Sequence, residues 1–271
     1  MPDQVIAKPR PIDNLRHLLT QPNVIAQVRM AVPRHLTPER VIRVTLTACQ
    51  RNPELLECEP YSIVGCLIQA SELGLELDGV LGQAYMVPFN NRKTGKKEAQ
   101  FITGYRGLIS LAKRAGDIIH FAAHVVREGD LFDYRYGTDA KVDHSPALDG
   151  RGKPIGVYAL VRFKSGGCDF EVMGWNEAME HGRKWSRTFN KGAWQDSPEE
   201  QAKKTVLRRL AKRCDMAVEL QKAAILDERA DEGLPQLLAL PQALESSLPS
   251  PQGNGEGGDK EEEPAENGME P

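Results

Sequence analysis

Two basic clusters hold the residues whose types and spacing could do chemistry. The first lies in QFITGYRGLISLAKRAG, residues 100–116: a β-prone run, a Gly-Tyr-Arg-Gly turn, then a helical pattern. At about 100° per residue, Leu108, Ile109, Leu111, Ala112 and Ala115 form an apolar arc. Arg106, Ser110 and Lys113 line another side, with Arg114 beside them. The second cluster follows Ser197, where Val206, Leu207, Leu210 and Cys214 share one side of a helix. Lys204, Arg208, Arg209, Lys212 and Arg213 spread over the other, and Lys203 falls among the apolar residues. From Arg183 to Arg213 there are ten basic and three acidic residues, with Trp185, Phe189 and Trp194 interleaved. Cations for phosphates and flat rings for bases are what single-strand binding requires.

Other chemistries find less support. The Gly95-Lys96 and Gly152-Lys153 pairs both lack the upstream glycine and the following Ser/Thr of a phosphate-binding loop, and G-x-G-x-x-G is absent. His120 and His124 are four apart, but IIHFAAHVV reads as a strand and no third ligand is near. Glu128, Asp130, Asp169 and Glu171 would serve a two-metal nuclease only if the fold gathered them; solvated carboxylates at strand ends are the simpler reading. There is no G-x-S-x-G elbow.

The elements that must position these residues can be read from capping and periodicity. Thr37-Pro38-Glu39 opens a helix to about Gln50, and Pro60–Leu73 forms a second, closed by Gly74. Ala84–Phe89 and Glu98–Thr103 flank the basic tip NNRKTGKK as a hairpin. Strands follow the Tyr105–Ala115 helix at 118–127, 131–136, 155–163 and 168–173, with 137–154 a long polar loop. WNEAMEHGRKWS is helical, and Ser197-Pro198-Glu199-Glu200 has the form of a capping box. The fold class expected is α+β: N-terminal helices, a central antiparallel sheet with an inserted helix, C-terminal helices and a disordered acidic tail. The divisions are an N-terminal arm with a short helix at 1–34, a binding and oligomerisation domain at 35–226, an extension at 227–248 and the tail at 249–271.

Charge is distributed unevenly along the 271 residues. The net value is −3, but from Asp227 onward there are two basic and twelve acidic residues, leaving the body at +7. A basic body suits a polyanionic partner, and an acidic tail suits docking or solubility. The five cysteines form no CxxC pair, as expected of reduced thiols. No apolar run spans a bilayer and the N-terminus lacks a signal-peptide pattern, so no membrane partner and a cytoplasmic location are expected.

LGLELDGVLGQAYMVPFNN, followed by QFITGYRGLISLAKRAG, resembles the signature of the RecT family of single-strand DNA annealing proteins. WQDSPEEQAKKTVLRRLAKR is similar to that family's later helical block, and the likeness covers roughly residues 40–230. The hairpin tip is longer and more basic than the family pattern, and the tail lies outside it. The resemblance implies an annealing-protein-like sheet-and-helix core and an ATP-independent recombinase of phage type. It would coat single strands as a ring or helical filament and pair them into duplex, beside a 5′→3′ exonuclease and the host single-strand-binding protein. No cofactor is required, magnesium acting as a modulator of annealing. Backbone contacts are assigned to Arg106, Lys113, Arg114, Lys203, Lys204, Arg208 and Arg209. Tyr105 and Trp185 are base platforms or core residues. Gly104 and Gly107 serve close approach to a phosphate or a tight turn. Removing Arg208 and Arg209 is expected to weaken binding without loss of helix. The alternatives are a metal-dependent nuclease and a passive single-strand-binding protein.

Overall fold

The structure, a computed structural model, describes residues 10–213 and 218–236. Proline begins helix after helix, because its fixed φ suits the first turn, where its missing N–H has no partner to lose. Thus α1 is Pro11–Leu19, α2 Pro22–Ala31, α3 Pro38–Arg51 and α4 Pro60–Leu73. Thr37 accepts from the Arg40 N–H at the start of α3, and Gly74, at φ 59°, ends α4 in the left-handed conformation. The first two helices are not a loose arm: Leu15, Leu19, Val24 and Val28 are buried in the main core.

Strands β1 (Ala84–Asn90) and β2 (Lys97–Thr103) form an antiparallel hairpin, from Ala84 opposite Thr103 to Asn90 opposite Lys97. Residues 234–236 blunt the free edge of β2. The Gln236 amide acts as a strand would, accepting from the Phe101 N–H at 2.7 Å and donating to the Phe101 carbonyl at 2.5 Å. Helix α5 (Tyr105–Arg114) leaves β2 directly.

A second sheet has the order β3-β6-β7, all antiparallel: Ile118–Arg127, Pro154–Phe163 and Cys168–Gly174. Alternation gives it two apolar faces. Phe121, Val125, Val157, Ala159, Val161 and Met173 join the main core beneath α8 (Pro198–Arg213). On the other face, Tyr158 and Phe170 lie under a further hairpin, β4 (Leu131–Arg135) with β5 (Lys141–Ser145). Phe132 stands 5.3 Å from Tyr158, and Tyr136 stacks on Phe170 at 4.9 Å. The Tyr136 hydroxyl also accepts from the Val172 N–H of β7.

Strand β5 occupies part of the stretch read as a polar loop. Its sequence KVDHS has one apolar residue, and pairing with β4 is what makes it a strand. Helices α6 (Trp175–Trp185), α7 (Ala193–Asp196) and α9 (Val218–Asp231) complete an α+β fold. Residues 237–271, which include the tail expected to be disordered, lie outside the described residues.

The glycines before and inside α5 have a specific cause. The Gly104 N–H donates to the Gln83 carbonyl at 2.8 Å. A Cβ on Gly104 would strike the Gly82 carbonyl oxygen, and one on Gly107 the Gln83 carbonyl oxygen. Both glycines therefore admit the backbone of residues 82–83 rather than a phosphate, a correction to one of the two readings above. Gly104→Ala or Gly107→Ala is expected to cost about 1–3 kcal/mol, as overpacking does. A urea midpoint equal to that of the wild type would rule out this backbone contact as the reason for glycine.

Candidate nucleic-acid interface

The start of α5 opens into a cavity of about 960 Å³. The chain closes around it from four sides: the end of α3, the loop 77–82, the β1-β2 hairpin and the start of α8. Tyr85 and Tyr105 give it aromatic surface, and Arg51 and Arg106 give it charge. Neither arginine has a carboxylate partner among the described residues. Arg106 donates from Nε to the Tyr105 hydroxyl at 3.4 Å, and Arg51 donates to the Asp78 carbonyl at 3.1 Å. The Asp78 carboxylate shapes the loop instead, accepting from the Val80 and Leu81 N–H groups. Gly82 completes the rim, since a Cβ there would stand 3.2 Å from the Tyr85 hydroxyl and 3.4 Å from Arg106.

A smaller cavity, about 200 Å³, lies along β3. Lys203 borders it with its ammonium 6.0 Å from the Tyr105 ring, and His124, Arg127, His144 and Arg151 line the rest. Burial, reinforced by His144, His120 and Lys203, pulls the His124 imidazole below its usual pKa, so it is neutral at pH 7. The arginines here are engaged. Arg151 grips the fully buried Asp130 through two bonds, at 2.8 and 2.6 Å, and Arg127 meets Glu199 at 2.5 Å. The Arg151 bond, then the Arg127 and Ala147 N–H groups and His144, hold the Asp130 carboxyl well below the usual carboxylate range.

Helix α8 departs furthest from what its wheel suggests. It is wrapped on most sides by the β3-β6-β7 sheet, α6 and α9, and its cations face carboxylates from those neighbours. Lys204 meets Asp227 at 2.6 Å, and Arg208 meets Asp227 at 2.7 Å and Asp231 at 2.5 Å. Lys204 and Arg208 are only 5 % and 7 % exposed. Burial draws the Arg208 guanidinium down, but the Asp227 and Asp231 carboxylates outweigh it and hold its pKa above the ordinary value. Arg209 reaches Glu177 and Glu171, Lys212 pairs with Glu228, and Arg213 bridges Asp169 and Glu171. Lys203 pairs with Glu200 at 2.7 Å, so that glutamate does not reach back to cap the helix. The expected backbone contacts at Lys204 and Arg208 are therefore revised: both are mostly buried cations matched by α9 carboxylates, with Lys204 at the wall of the large cavity rather than free to meet a phosphate.

The α5 residues fare differently. Lys113 is exposed and has no carboxylate partner among the described residues. Arg114 donates to the Leu73 carbonyl at 2.7 Å, a cation placed at the C-terminal end of α4. Trp185 is 45 % exposed, whereas Phe189 and Trp194 are buried against each other at 5.7 Å. Sequence reasoning missed Tyr85 and Arg51. The alternation of β1, with Ala84 and Met86 inward, does turn Tyr85 outward, whereas nothing local distinguishes Arg51. Of the carboxylates imagined as a nuclease cluster, Asp130 is held by Arg151, and Asp169 and Glu171 by Arg213, while Glu128 accepts from the Lys153 N–H. Among the described residues, no group of three or more His, Cys, Asp or Glu is placed to hold a metal ion. No helix among them is long and apolar enough to cross a membrane.

The RecT family model matches residues 39–236 of this chain, which includes both cavities and the α8–α9 pair. The chain belongs to the RecT family. It is 43 % identical over 213 residues to Protein RecT of Escherichia coli (strain K12), covering 78 % of this chain and 79 % of that protein. It is also 26 % identical over 222 residues to the uncharacterized protein YqaK of Bacillus subtilis (strain 168), covering 80 % and 73 %. Membership in the RecT family makes it a recombination and strand-annealing protein.

The paired cations of α8 lead to a stability prediction. Asp227→Asn leaves Lys204 and Arg208 buried with too little counter-charge and is expected to destabilise the protein by about 3–5 kcal/mol. Arg209→Ala, whose partners are nearer to solvent, should cost about 1 kcal/mol or less. Urea denaturation of the two variants checks this, and equal small losses would show the cluster to be dispensable.

Proposed function

We propose that this RecT-family chain is an ATP-independent annealing protein that binds single-stranded DNA by its phosphate backbone. In this reading the strand follows the 960 Å³ cavity, with phosphates toward Arg51 and Arg106 and along α5 toward Lys113. The reading rests on that cavity: two tyrosines and two arginines, without a carboxylate partner among the described residues, open to solvent at the start of a helix, where anions are favoured. At its wall Lys204 is paired to Asp227 and Glu200 to Lys203. Tyr105, below Lys203, and Tyr85 offer ring faces, which accept any base and so suit sequence-independent binding.

Annealing needs no energy source. Duplex stacking yields about 1.4 kcal/mol per base-pair step, so pairing is downhill. What the protein must supply is neutralisation of two phosphate chains, removal of secondary structure and exposure of base edges. Contacts to the backbone leave those edges free. A ring or helical filament of subunits would extend the groove along the strand, with magnesium as a modulator rather than a required cofactor. A 5′→3′ exonuclease to expose single strands, the host single-strand-binding protein and a cytoplasmic location complete the proposal.

The experiment is pairing of dye-labelled complementary oligonucleotides without nucleotide, with products also run on a denaturing gel. Faster duplex formation with intact strands is expected. Shortened strands in magnesium or manganese would instead favour a nuclease, and protection without faster pairing a passive binding protein. In binding titrations across salt, Arg106→Ala should weaken affinity for every sequence and reduce the slope of log K against log salt by about 0.7. Tyr105→Ala should cost about 1–3 kcal/mol with the slope unchanged. A flat salt response in the wild type would contradict the electrostatic reading.

A further inference from the structure

The cations of this chain sort into two populations. Those of α8, from Lys203 to Arg213, all have carboxylate partners. In the last turn of α6 and the segment joining it to α7, Arg183, Lys184, Arg187 and Lys191 have none among the described residues, and all four are exposed. Arg183 lies 5.4 Å from the Phe189 ring, Lys184 lies 5.0 Å from the Trp185 ring, and Arg187 donates to the Gly233 carbonyl at 2.9 Å. Trp185 projects among them, half of its surface open.

A second, independent observation lies behind Trp185. A cavity of about 270 Å³ is walled by Trp185, Ser186, His181 and Trp194 on one side and by the ends of α8 and α9 on the other. The Trp194 indole N–H is buried there without a hydrogen-bond partner among the described residues, in a residue only 4 % exposed. A buried indole N–H ordinarily finds an acceptor. Gly182 brings the ring to this wall, since a Cβ there would stand 2.7 Å from the indole. The cavity shares no lining residue with the one beside Tyr105; neighbours Ala193 and Trp194 border one each.

We infer that the Arg183–Lys191 segment, with Trp185 and the cavity behind it, is a second single-stranded polynucleotide site that takes the incoming complementary strand. The chemistry fits each part. Exposed cations meet phosphates, the open indole face stacks on a base of any identity, and a base carbonyl supplies the acceptor that Trp194 lacks. On the far wall Arg208 and Arg209 stand with Glu228, Asp231 and Glu232, and Arg208 is already matched by Asp231 and Arg209 by Glu177. The wall therefore offers a neutral base hydrogen-bonding partners but no unmatched cation for an acidic side chain. That favours a polynucleotide over an acidic peptide. A site separate from the first lets one subunit hold a strand while a second is sampled beside it. This rests on the annealing reading above.

The test uses the full chain carrying Arg183→Ala, Lys184→Ala and Lys191→Ala together; Arg187 is spared because it holds the Gly233 carbonyl. Two quantities are read: affinity for a first labelled strand, and the rate at which the preformed complex pairs with a labelled complement. The expected result is first-strand affinity within about twofold of wild type and a pairing rate down about tenfold or more. An unchanged pairing rate would show a merely solvated segment, and a parallel loss of both would show one continuous site. Should the triple variant lose its circular dichroism, the wild-type chain carries the test. The emission that Trp185→Phe removes is quenched when a non-complementary second strand meets the preformed complex. Absence of quenching, or equal quenching by a peptide of residues 256–270, overturns the inference. If wild type fails to bind even the first strand, the annealing reading itself fails, an outcome distinct from loss of the second site alone.

Discussion

Two aspartates on α9 hold the C-terminal half of this protein together. Asp227 is buried between Lys204 and Arg208, and Asp231 takes the second contact of Arg208. Two cations on one face of α8 would repel each other and could not leave water alone. With α9 packed over them, their charges are matched in a low-dielectric setting where the attraction is strong. That pairing lets α8 be buried on most sides, and a buried α8 supports the β3-β6-β7 sheet on one side and the start of α5 on another.

The same pairing decides which cations remain for a ligand. A helix with the sequence AKKTVLRRLAKR looks like a DNA-binding face, yet its cations are matched by carboxylates from α6, α9, β7 and α8 itself. Among the described residues, arginines without a carboxylate partner include Arg51 and Arg106 at the large cavity, and Arg183 and Arg187 after it in the chain. Charge counted along the sequence exaggerated the contrast between body and tail, because Asp227, Glu228 and Asp231 belong to the packed body as counter-ions.

Much of the local structure was legible. Proline at the first turn set the starts of α3 and α4, and Gly74 set the end of α4. Alternation identified β3, β6 and β7, and the apolar arc of α5 matches its buried Leu108, Leu111 and Ala112. Strand β5 was not legible, because one valine among polar residues carries no period; its identity comes from β4. The groove was half legible. Tyr105 and Arg106 stand in a recognisable turn, while Arg51 comes to the same cavity from an element 55 residues earlier.

The sequence by itself determined most of the elements, the α+β class and membership in the RecT family, because caps, periods and motif spacing are properties of neighbouring residues. Only the tertiary structure decided which charges are free. Ion pairing depends on separation in space, and partners such as Lys204 with Asp227, or Arg127 with Glu199, are brought together by packing that no local pattern records. The glycines of the Gly-Tyr-Arg-Gly turn show the same division: their presence is written in the chain, but the backbone they make room for, residues 82–83, is evident only once the fold is formed.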